Sequence, residues 1–252
     1  MVNILYSDLK KKTIIITGGL GFLAAQFTKA FEYNLCNVII LDTKNCNKKN
    51  FFKCDVTKEN QIRNVCLIIK NKFKTIDVLI NNAANNYVSG SSSFETKLES
   101  FSEKIWDADL EVGLKGAMLC TKVFGTEMSR QPTGGNIINI SSDLGIISPD
   151  NRIYKKNSVK PLTYSVIKHG IIGLTKYTAT YWPKKIRCNA LAFGGMENNQ
   201  DKNFISKVKK LIPIGRMAKK NEYNNAVLFL ASKASSYVNG TTLVVDGGRT
   251  IL

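Results

Sequence analysis

The sequence predicts an α/β domain built on a doubly wound parallel sheet with helices on both faces. Short runs of β-branched and aliphatic residues, typical of buried parallel strands, recur along the chain and alternate with stretches of helical periodicity. The first run leads directly into a glycine-rich turn that opens a helix. The 252 residues, 44% of them hydrophobic and 22% charged, suffice for a substantial core, and we expect residues 1–252 to form a single domain.

The formal net charge of +17 raises the possibility of a nucleic acid, a membrane surface or an anionic substrate as partner. The lysines are nevertheless spread along the whole chain, no run of five like charges occurs, and no basic stretch is interleaved with aromatic residues. No apolar run approaches the roughly 20 residues of a membrane span. We therefore expect neither a nucleic-acid nor a membrane partner.

Six widely spaced cysteines and a single histidine form no metal-binding or redox motif, so we expect no metal site. The cysteines stand mostly in apolar company, as reduced core thiols do. The first twelve residues lack the apolar region of a signal peptide. A cytoplasmic location is the expectation.

The first strand, 13–17, runs into the turn 18–21 and then into a helical pattern that continues to Phe31. Glycines there let the backbone approach a pyrophosphate, and the helix N-terminus offers free N–H groups. The second strand, 37–42, ends in Asp42, which can accept both ribose hydroxyls and would repel a 2′-phosphate. Lys44 weakens this inference slightly. The pattern predicts a Rossmann-type sheet that binds NAD rather than NADP.

The middle of the chain continues the alternation of strands and helices. We expect a strand at 51–57, a helix at 58–73 and a strand at 76–80, which ends in the short side chains of residues 81–84. A long helix at 104–131 contains Gly113 and Gly116, and since each interior glycine costs about 1 kcal/mol, we expect a close approach there.

The fifth strand, 136–142, places Ser142 at its carboxyl end, where a hydroxyl could hold a substrate oxygen. In a helix that begins near residue 163, Tyr164 and Lys168 lie on one face. An ammonium beside a phenol favours the phenolate and lowers the phenol pKa toward neutrality. A sixth strand at 187–192, a helix at 222–230 and a strand at 240–246 complete the pattern. The polar segment 194–212 is expected to fold over the substrate as a lid.

Taken in order, these motifs resemble the short-chain dehydrogenase/reductase family over essentially the whole chain. The motifs that carry the resemblance are Thr17-Gly18-Gly19-Leu20-Gly21, Asp42, Asp55-Val56-Thr57, Asn81-Asn82-Ala83-Ala84, Ile140-Ser141-Ser142-Asp143-Leu144-Gly145, Tyr164-Ser165-Val166-Ile167-Lys168 and Leu243-Val244-Val245-Asp246-Gly247-Gly248. The resemblance implies a hydride exchanged between a nicotinamide and a hydroxyl or carbonyl carbon.

The resemblance also implies residue roles. Tyr164 is the catalytic acid/base, Lys168 lowers its pKa and binds the nicotinamide ribose, and Ser142 orients the substrate. The implied cofactor-binding residues are Gly18, Gly19, Leu20, Gly21, Phe22, Leu23, Asp42, Asp55, Val56, Asn82, Ala83, Ala84, Tyr164, Lys168, Phe193 and Gly194.

The chain departs from the family pattern in four places. Phe22 and Ala24 stand where single-domain members usually have glycine. Gly113 replaces the family asparagine that helps to hold a water in a proton relay, which puts that relay in doubt. Phe193 replaces the proline of the usual Pro-Gly, and the threonine that commonly follows is missing. Ser142 and Tyr164 are 22 residues apart, which indicates an insertion between them.

The insertion, 148–161, carries four cations and one acid. It is either a solvated surface loop or an anion-binding segment. In the second case Arg152 and either Lys155 or Lys156 recognise an anionic substrate, such as a sugar phosphate or sugar nucleotide. Asp143, next to Ser142, is a further candidate for substrate contact.

Four local stretches narrow the resemblance to bacterial flagellin-modification oxidoreductases, which serve the synthesis of nonulosonate, legionaminic-type sugars. These are residues 18–23, 111–114, 149–152 and 193–195. This resemblance implies an amino-sugar or sugar-phosphate substrate, and that to the family implies a homotetramer or a homodimer. Two alternatives remain: a catalytically weak NAD-binding regulatory or subunit protein, suggested by Gly113 and Phe193, and a sugar epimerase or dehydratase with bound NAD.

Overall fold

The computed structural model describes residues 5–85, 97–155 and 158–252. Within these ranges seven strands form one parallel sheet: β1 (Thr13–Thr17), β2 (Asn37–Asp42), β3 (Phe51–Lys53), β4 (Val78–Asn81), β5 (Gly135–Ser142), β6 (Ile186–Phe193) and β7 (Thr242–Val245). The helices are α1 (Phe22–Tyr33), α2 (Glu59–Phe73), α3 (Glu103–Leu110), α4 (Gly116–Arg130), α5 (Leu162–Tyr181), α6 (Lys202–Lys209) and α7 (Asn224–Ala231).

The strand order β3-β2-β1-β4-β5-β6-β7 confirms the predicted doubly wound sheet. The chain starts at β1 and builds outward to β3, then crosses back so that β4 pairs with the other side of β1. All strand pairs are parallel, so the carboxyl ends of β1 and β4 diverge into a crevice at the point where the order reverses. A ligand site is expected at this crevice.

Two apolar layers hold the helices to the sheet, one on each face. Along β1, Ile15 belongs to the layer shared with α2 and α4, whereas Ile14 and Ile16 belong to the layer shared with α1 and α7. All five residues of β1 are buried, as the continuous β-branched run predicts for a central parallel strand. Burial of each of its three isoleucines contributes roughly 1.5–3 kcal/mol.

The predicted long helix is observed as α3, one π-helical turn at Glu111–Lys115 and α4, without a break in the chain direction. Both glycines make the expected close approaches. A Cβ added at Gly113 would lie 2.9 Å from Cγ2 of Ile167 in α5, and one added at Gly116 would lie 2.7 Å from Cγ2 of Val56. Any side chain at these positions would force neighbouring groups apart.

Most boundaries after β2 differ from the predicted ones by one or two residues, and the end of the third strand differs by four. The third strand ends at Lys53 because the backbone N–H of Thr57 bonds to the side chain of Asp55 in a turn, and α2 starts at Glu59. The segment 194–212 contains α6, whose N-terminus is capped by Asp201. None of the helices in the described ranges is both long and apolar enough to cross a bilayer.

Candidate active site

The carboxyl ends of the central strands open into a cavity of about 910 Å³. With two exceptions, it is lined by the described residues that the sequence assigned to cofactor, catalysis or substrate: Gly18, Leu20, Gly21, Phe22, Leu23, Asp42, Asp55, Val56, Asn82, Ala83, Ala84, Ser142, Asp143, Lys155, Tyr164, Lys168, Phe193 and Gly194. The exceptions are Gly19 and Arg152, which are not part of the lining. Lys156 lies outside the described residues.

The glycine turn forms a cradle of bare backbone. Gly18 has φ +59°, and a Cβ there would lie 2.8 Å from the Cα of Ala83, so only glycine suits this position. Gly19 instead packs against β2, since its added Cβ would lie 2.5 Å from Cγ2 of Ile40. Gly21 is the N-cap of α1 and brings no side chain to the first N–H groups of that helix. Such a helix end suits a pyrophosphate.

Thr17 joins the glycine turn to the end of β4. Its hydroxyl accepts hydrogen bonds from the backbone N–H groups of Asn82 and Ala83, both at 3.0 Å. The Asn82 side chain returns two bonds to the carbonyls of Thr17 (3.0 Å) and Gly18 (3.2 Å). The floor of the crevice is therefore held rigidly. Thr17 is part of the family motif at 17–21, but nothing in the neighbouring sequence predicts these hydrogen bonds to the end of β4.

Asp42 lies at the end of β2, next to the glycine turn and on the side of it away from β4. Its carboxylate accepts from the backbone N–H groups of Leu20 and Lys44, each at 3.1 Å. These two bonds fix the carboxylate at the cavity wall, beside the glycine turn. The cradle of glycine backbone, free helix N–H groups and a fixed carboxylate fits a dinucleotide, with the pyrophosphate at α1 and a ribose at Asp42.

Tyr164 and Lys168 lie together, as their spacing predicted. The Lys168 ammonium is 5.7 Å from the centroid of the Tyr164 ring and donates to the carbonyl of Ile140 at 2.8 Å. The hydroxyl of Ser141 donates to the backbone carbonyl of Lys168 at 2.9 Å. These two bonds fasten α5 to the carboxyl end of β5 and so fix Tyr164 near Ser142.

The expected lowering of the Tyr164 pKa is wrong for the protein alone. Burial raises the pKa of Tyr164, and a hydrogen bond with Ser142 offsets this only in part. Burial and the nearby charge of Lys160 lower the pKa of Lys168 to about 8. Burial thus disfavours the charged form of both groups more strongly than they favour each other's charge.

Ser142 and Asp143 form a buried polar pair. The Ser142 hydroxyl donates to the Asp143 carboxylate at 2.7 Å and accepts from the backbone N–H of Leu144 at 3.2 Å. The other Asp143 oxygen lies 3.4 Å from Nη1 of Arg249, and both side chains are less than 10% exposed. Because the serine proton points at Asp143, it must turn away from that carboxylate to donate to a substrate oxygen. Burial raises the pKa of Asp143.

Lys160 is a site residue that the sequence did not single out. Its ammonium lies 3.7 Å from the centroid of the Tyr164 ring, inside the cavity lining. Burial lowers its pKa to about 8. The available signal was its place four residues before Tyr164 in the basic insertion. Arg249 gave no comparable signal, because it reaches Asp143 from the far end of the chain.

Arg152 occupies a different environment from the expected one. Its guanidinium forms two hydrogen bonds with Asp150, at 2.9 and 2.8 Å, and its side chain is 89% exposed. This pairing lowers the pKa of Asp150 to about 2. The guanidinium is already matched to a carboxylate at the surface, so the geometry gives no support to Arg152 as the anion receptor.

The first part of the insertion, 148–155, and the segment 194–212 pack against each other beside Tyr164. Ile153 joins Val208 and Ile212 in a small apolar cluster, and the rings of Tyr154 and Phe204 lie 5.6 Å apart. The Lys207 ammonium donates to the carbonyl of Arg152 at 3.1 Å. The two segments form one side wall of the cavity.

The protein is similar to known oxidoreductases over nearly all of its length. A family model described as Enoyl-(Acyl carrier protein) reductase matches residues 37–250. An NAD-dependent glycerol dehydrogenase of Listeria innocua is 29% identical, over 97% of this chain and 96% of the relative. The 3-oxoacyl-[acyl-carrier-protein] reductase FabG of Thermotoga maritima is 31% identical, over 96% of this chain and 99% of the relative.

The crystal structure of a short-chain dehydrogenase from Leptospira borgpetersenii with bound NAD+ superposes with a TM-score of 0.85. The two chains are 31% identical, and the match covers 96% of this chain and 93% of the other. The fold, the residues that line the cavity and the sequence similarity therefore all indicate an oxidoreductase.

Proposed function

The chain belongs to the short-chain dehydrogenase/reductase family of NAD(P)-dependent oxidoreductases, and on this premise we propose that it exchanges a hydride between NAD and a hydroxyl or carbonyl carbon of a sugar-type substrate. One observation carries the proposal. Ser142, Tyr164 and Lys168 line the same cavity as the glycine turn and Asp42, so a dinucleotide held by the turn would reach the Tyr164 hydroxyl.

Each of the three residues has a separate task. Bound NAD+ supplies the hydride acceptor. Tyr164 takes the proton of the substrate hydroxyl during oxidation and returns it during reduction. Lys168, held by the Ile140 carbonyl, stabilises the phenolate and binds the ribose. Ser142 holds the substrate oxygen by donating its hydroxyl proton to it, after that proton turns away from Asp143, which accepts it in the absence of substrate.

NAD is the proposed cofactor in preference to NADP. The support is the Asp42 carboxylate, which two backbone N–H groups fix at the cavity wall. A negative charge there accepts ribose hydroxyls and repels a 2′-phosphate.

The proposed substrate is a sugar or an amino-sugar derivative, as in the synthesis of sugars that modify flagellin. The similarity to an NAD-dependent glycerol dehydrogenase supports a substrate with several hydroxyl groups. The polar side chains that line the substrate end of the cavity, among them Asn198, Asn199 and Gln200, support it as well. We further propose a cytoplasmic homotetramer or homodimer; the six free thiols are consistent with a reducing compartment.

The test is a turnover screen of sugars, amino sugars, polyols and acyl thioesters with NAD(H) and NADP(H), run with Tyr164→Phe and Tyr177→Phe. Tyr177 is the matched control, since it lies on the same helix with 64% of its surface exposed. We expect Tyr164→Phe to lower kcat by about 10²- to 10⁴-fold while NADH still binds, and Tyr177→Phe to change nothing. Equal kcat values for the two variants would refute the role of Tyr164.

A second candidate function is an NAD-binding regulatory protein with weak catalysis. It is favoured by Gly113, since Ile167 fills the space where the family asparagine would project. Tight NADH binding without turnover of any substrate in the screen would support this candidate over the enzyme.

A further inference from the structure

We propose that Lys160 binds a carboxylate of the substrate, so that the protein acts on acidic sugars or polyols in preference to neutral ones. This inference rests on the proposed function and names the substrate class of the same site.

The first step is a comparison of the cations on the Tyr164 side of the cavity. Four of them face an oxygen of the protein: Lys155 with Asp201 (4.0 Å), Lys168 with the Ile140 carbonyl (2.8 Å), Lys207 with the Arg152 carbonyl (3.1 Å) and Arg249 with Asp143 (3.4 Å). Across residues 5–85, 97–155 and 158–252, the Lys160 ammonium has neither an ion pair nor a hydrogen bond, and it contacts the Tyr164 ring face. It is the cation still available to a ligand.

The second step concerns charge. Lys160 and Lys168 place two ammonium groups beside one phenol, at 3.7 and 5.7 Å from its centroid. The acid in the neighbourhood, Asp143, already faces Arg249 and Ser142. A partly buried ammonium without an anion is unfavourable, and burial accordingly lowers its pKa. An anionic substrate would supply the missing charge.

The third step selects the anion and its place. Lys160 offers one positive charge from a compact ammonium, which a carboxylate matches, whereas a phosphate would leave much of its charge unpaired. The ammonium lies over the ring that bears the reacting hydroxyl, so a carboxylate paired with it is close to the reacting carbon. This geometry fits a hydroxy acid of the aldonate type. Arg152, the cation that the sequence predicted for this role, is instead paired with Asp150.

The test compares matched pairs of substrates with NAD+: D-gluconate against D-sorbitol and D-galactonate against galactitol. Wild type, Lys160→Gln and Lys160→Arg are assayed, with Arg152→Gln as the control from the same insertion. We expect the acids to be preferred, Lys160→Gln to raise KM for the acids about 10- to 100-fold with little change in kcat or in the alditol reaction, and Lys160→Arg to retain most of the preference. Arg152→Gln is expected to behave as wild type.

A binding arm separates this inference from the proposed function. D-gluconate, D-sorbitol and sorbitol 6-phosphate are titrated calorimetrically into the NADH complexes of wild type and Lys160→Gln. Tighter binding of gluconate that Lys160→Gln abolishes would support the carboxylate site even if no substrate is turned over. The inference is overturned if acids and alditols behave alike in both arms, if Lys160→Gln affects both equally, or if only the phosphate ester binds through Lys160.

Discussion

At the scale of single residues, the candidate site concentrates positive charge around one phenol. Lys160 and Lys168 flank the Tyr164 ring, and burial lowers the pKa of each lysine to about 8 while it raises the pKa of Tyr164. Keeping two ammonium groups protonated there costs folding free energy at neutral pH. This free-energy cost is present in the free protein, and an anion that binds beside the two lysines would remove it.

This cost can be measured on Lys160 without any substrate. Below about pH 8 the folded and unfolded chains both hold the lysine proton, so the burial cost is complete; between about pH 8 and 10.5 the unfolded chain binds more protons, and stability rises with pH. Lys160→Met should therefore be more stable than wild type by about 1 kcal/mol near pH 7, after allowance for partial exposure and the lost ring contact. The gain should shrink toward about pH 10.

The measurement is denaturant unfolding of the cofactor-free proteins across this pH range, with Lys176→Met, an exposed lysine of α5, as the control. Asp143, Tyr164 and Lys168 also titrate near Lys160, but they are present in both proteins and their direct contributions largely cancel. If wild type were more stable than Lys160→Met at pH 7, the contact of Lys160 with the Tyr164 ring would stabilise the fold by more than burial of the ammonium costs.

Part of the residue-scale site could be predicted from sequence. Tyr164 and Lys168 are four residues apart in one helix, and Ser142 ends a strand, so local rules bring them to one edge of the sheet. The spacing of residues in the sequence does not show how deeply a side chain is buried. The predicted lowering of the Tyr164 pKa was wrong because burial raises it. Arg249 meets Asp143 only through tertiary folding, so no spacing in the sequence could have joined them.

At the scale of elements, the packing of α5 against the π-helical turn sets the position of Tyr164. Ile167 lies between Tyr164 and Lys168 in the sequence, and it fills the space beside Gly113. A family asparagine at residue 113 would collide with Ile167 unless the helices moved apart. The missing relay residue and the close helix contact are thus one structural adaptation.

Gly113→Ala tests that contact. Alanine gains about 1 kcal/mol of helix propensity, but its Cβ meets Ile167 at 2.9 Å, and overpacking of this kind costs about 1–3 kcal/mol. We expect a net loss of about 1 kcal/mol in the free energy of unfolding, together with a lower kcat because Tyr164 shifts. In an Ile167→Ala background the same change should become stabilising, a coupling that a double-mutant cycle measures.

Gly173→Ala is the matched control for this series. Gly173 lies on α5 with open space around its Cα, so alanine there should stabilise by about 1 kcal/mol. If Gly113→Ala gave the same gain as Gly173→Ala, the two helices would have room to separate, and the assignment of Gly113 to close packing would fail.

Elements were predictable where the hydrophobic pattern was continuous and less so where side chains override it. The bounds of β1 and β2 agree with the β-branched runs. The third strand is shorter than predicted because Asp55 bonds to the backbone N–H of Thr57 and turns the chain. The π-helical turn was not predicted: it adds about one residue to a single turn, and such a small shift in periodicity is hard to read within one continuous helical pattern.

At the scale of the whole molecule, two electrostatic effects oppose each other in the choice of cofactor. The net charge of +17 attracts any dinucleotide, and it attracts NADPH more than NADH because of the additional 2′-phosphate. Asp42 acts in the opposite direction, as a single carboxylate fixed at the cavity wall where the ribose of a bound dinucleotide would lie. The overall charge acts over a long range and is screened by salt, whereas a contact repulsion is screened much less.

The preference for NADH over NADPH should therefore increase with ionic strength. Between about 0.01 M and 0.15 M salt the screening length falls from about 30 to 8 Å, which weakens the general attraction and leaves the local repulsion by Asp42. Dissociation constants from quenching of protein fluorescence measure this, and the ratio of the NADPH value to the NADH value should rise with salt. Asp42→Asn keeps the acceptor for the Leu20 N–H and removes the charge, so it should lower the ratio about tenfold, or by ~1.4 kcal/mol, at each salt concentration. A ratio that is unchanged in Asp42→Asn would show that this carboxylate does not select the cofactor, and NADP would then become the better candidate.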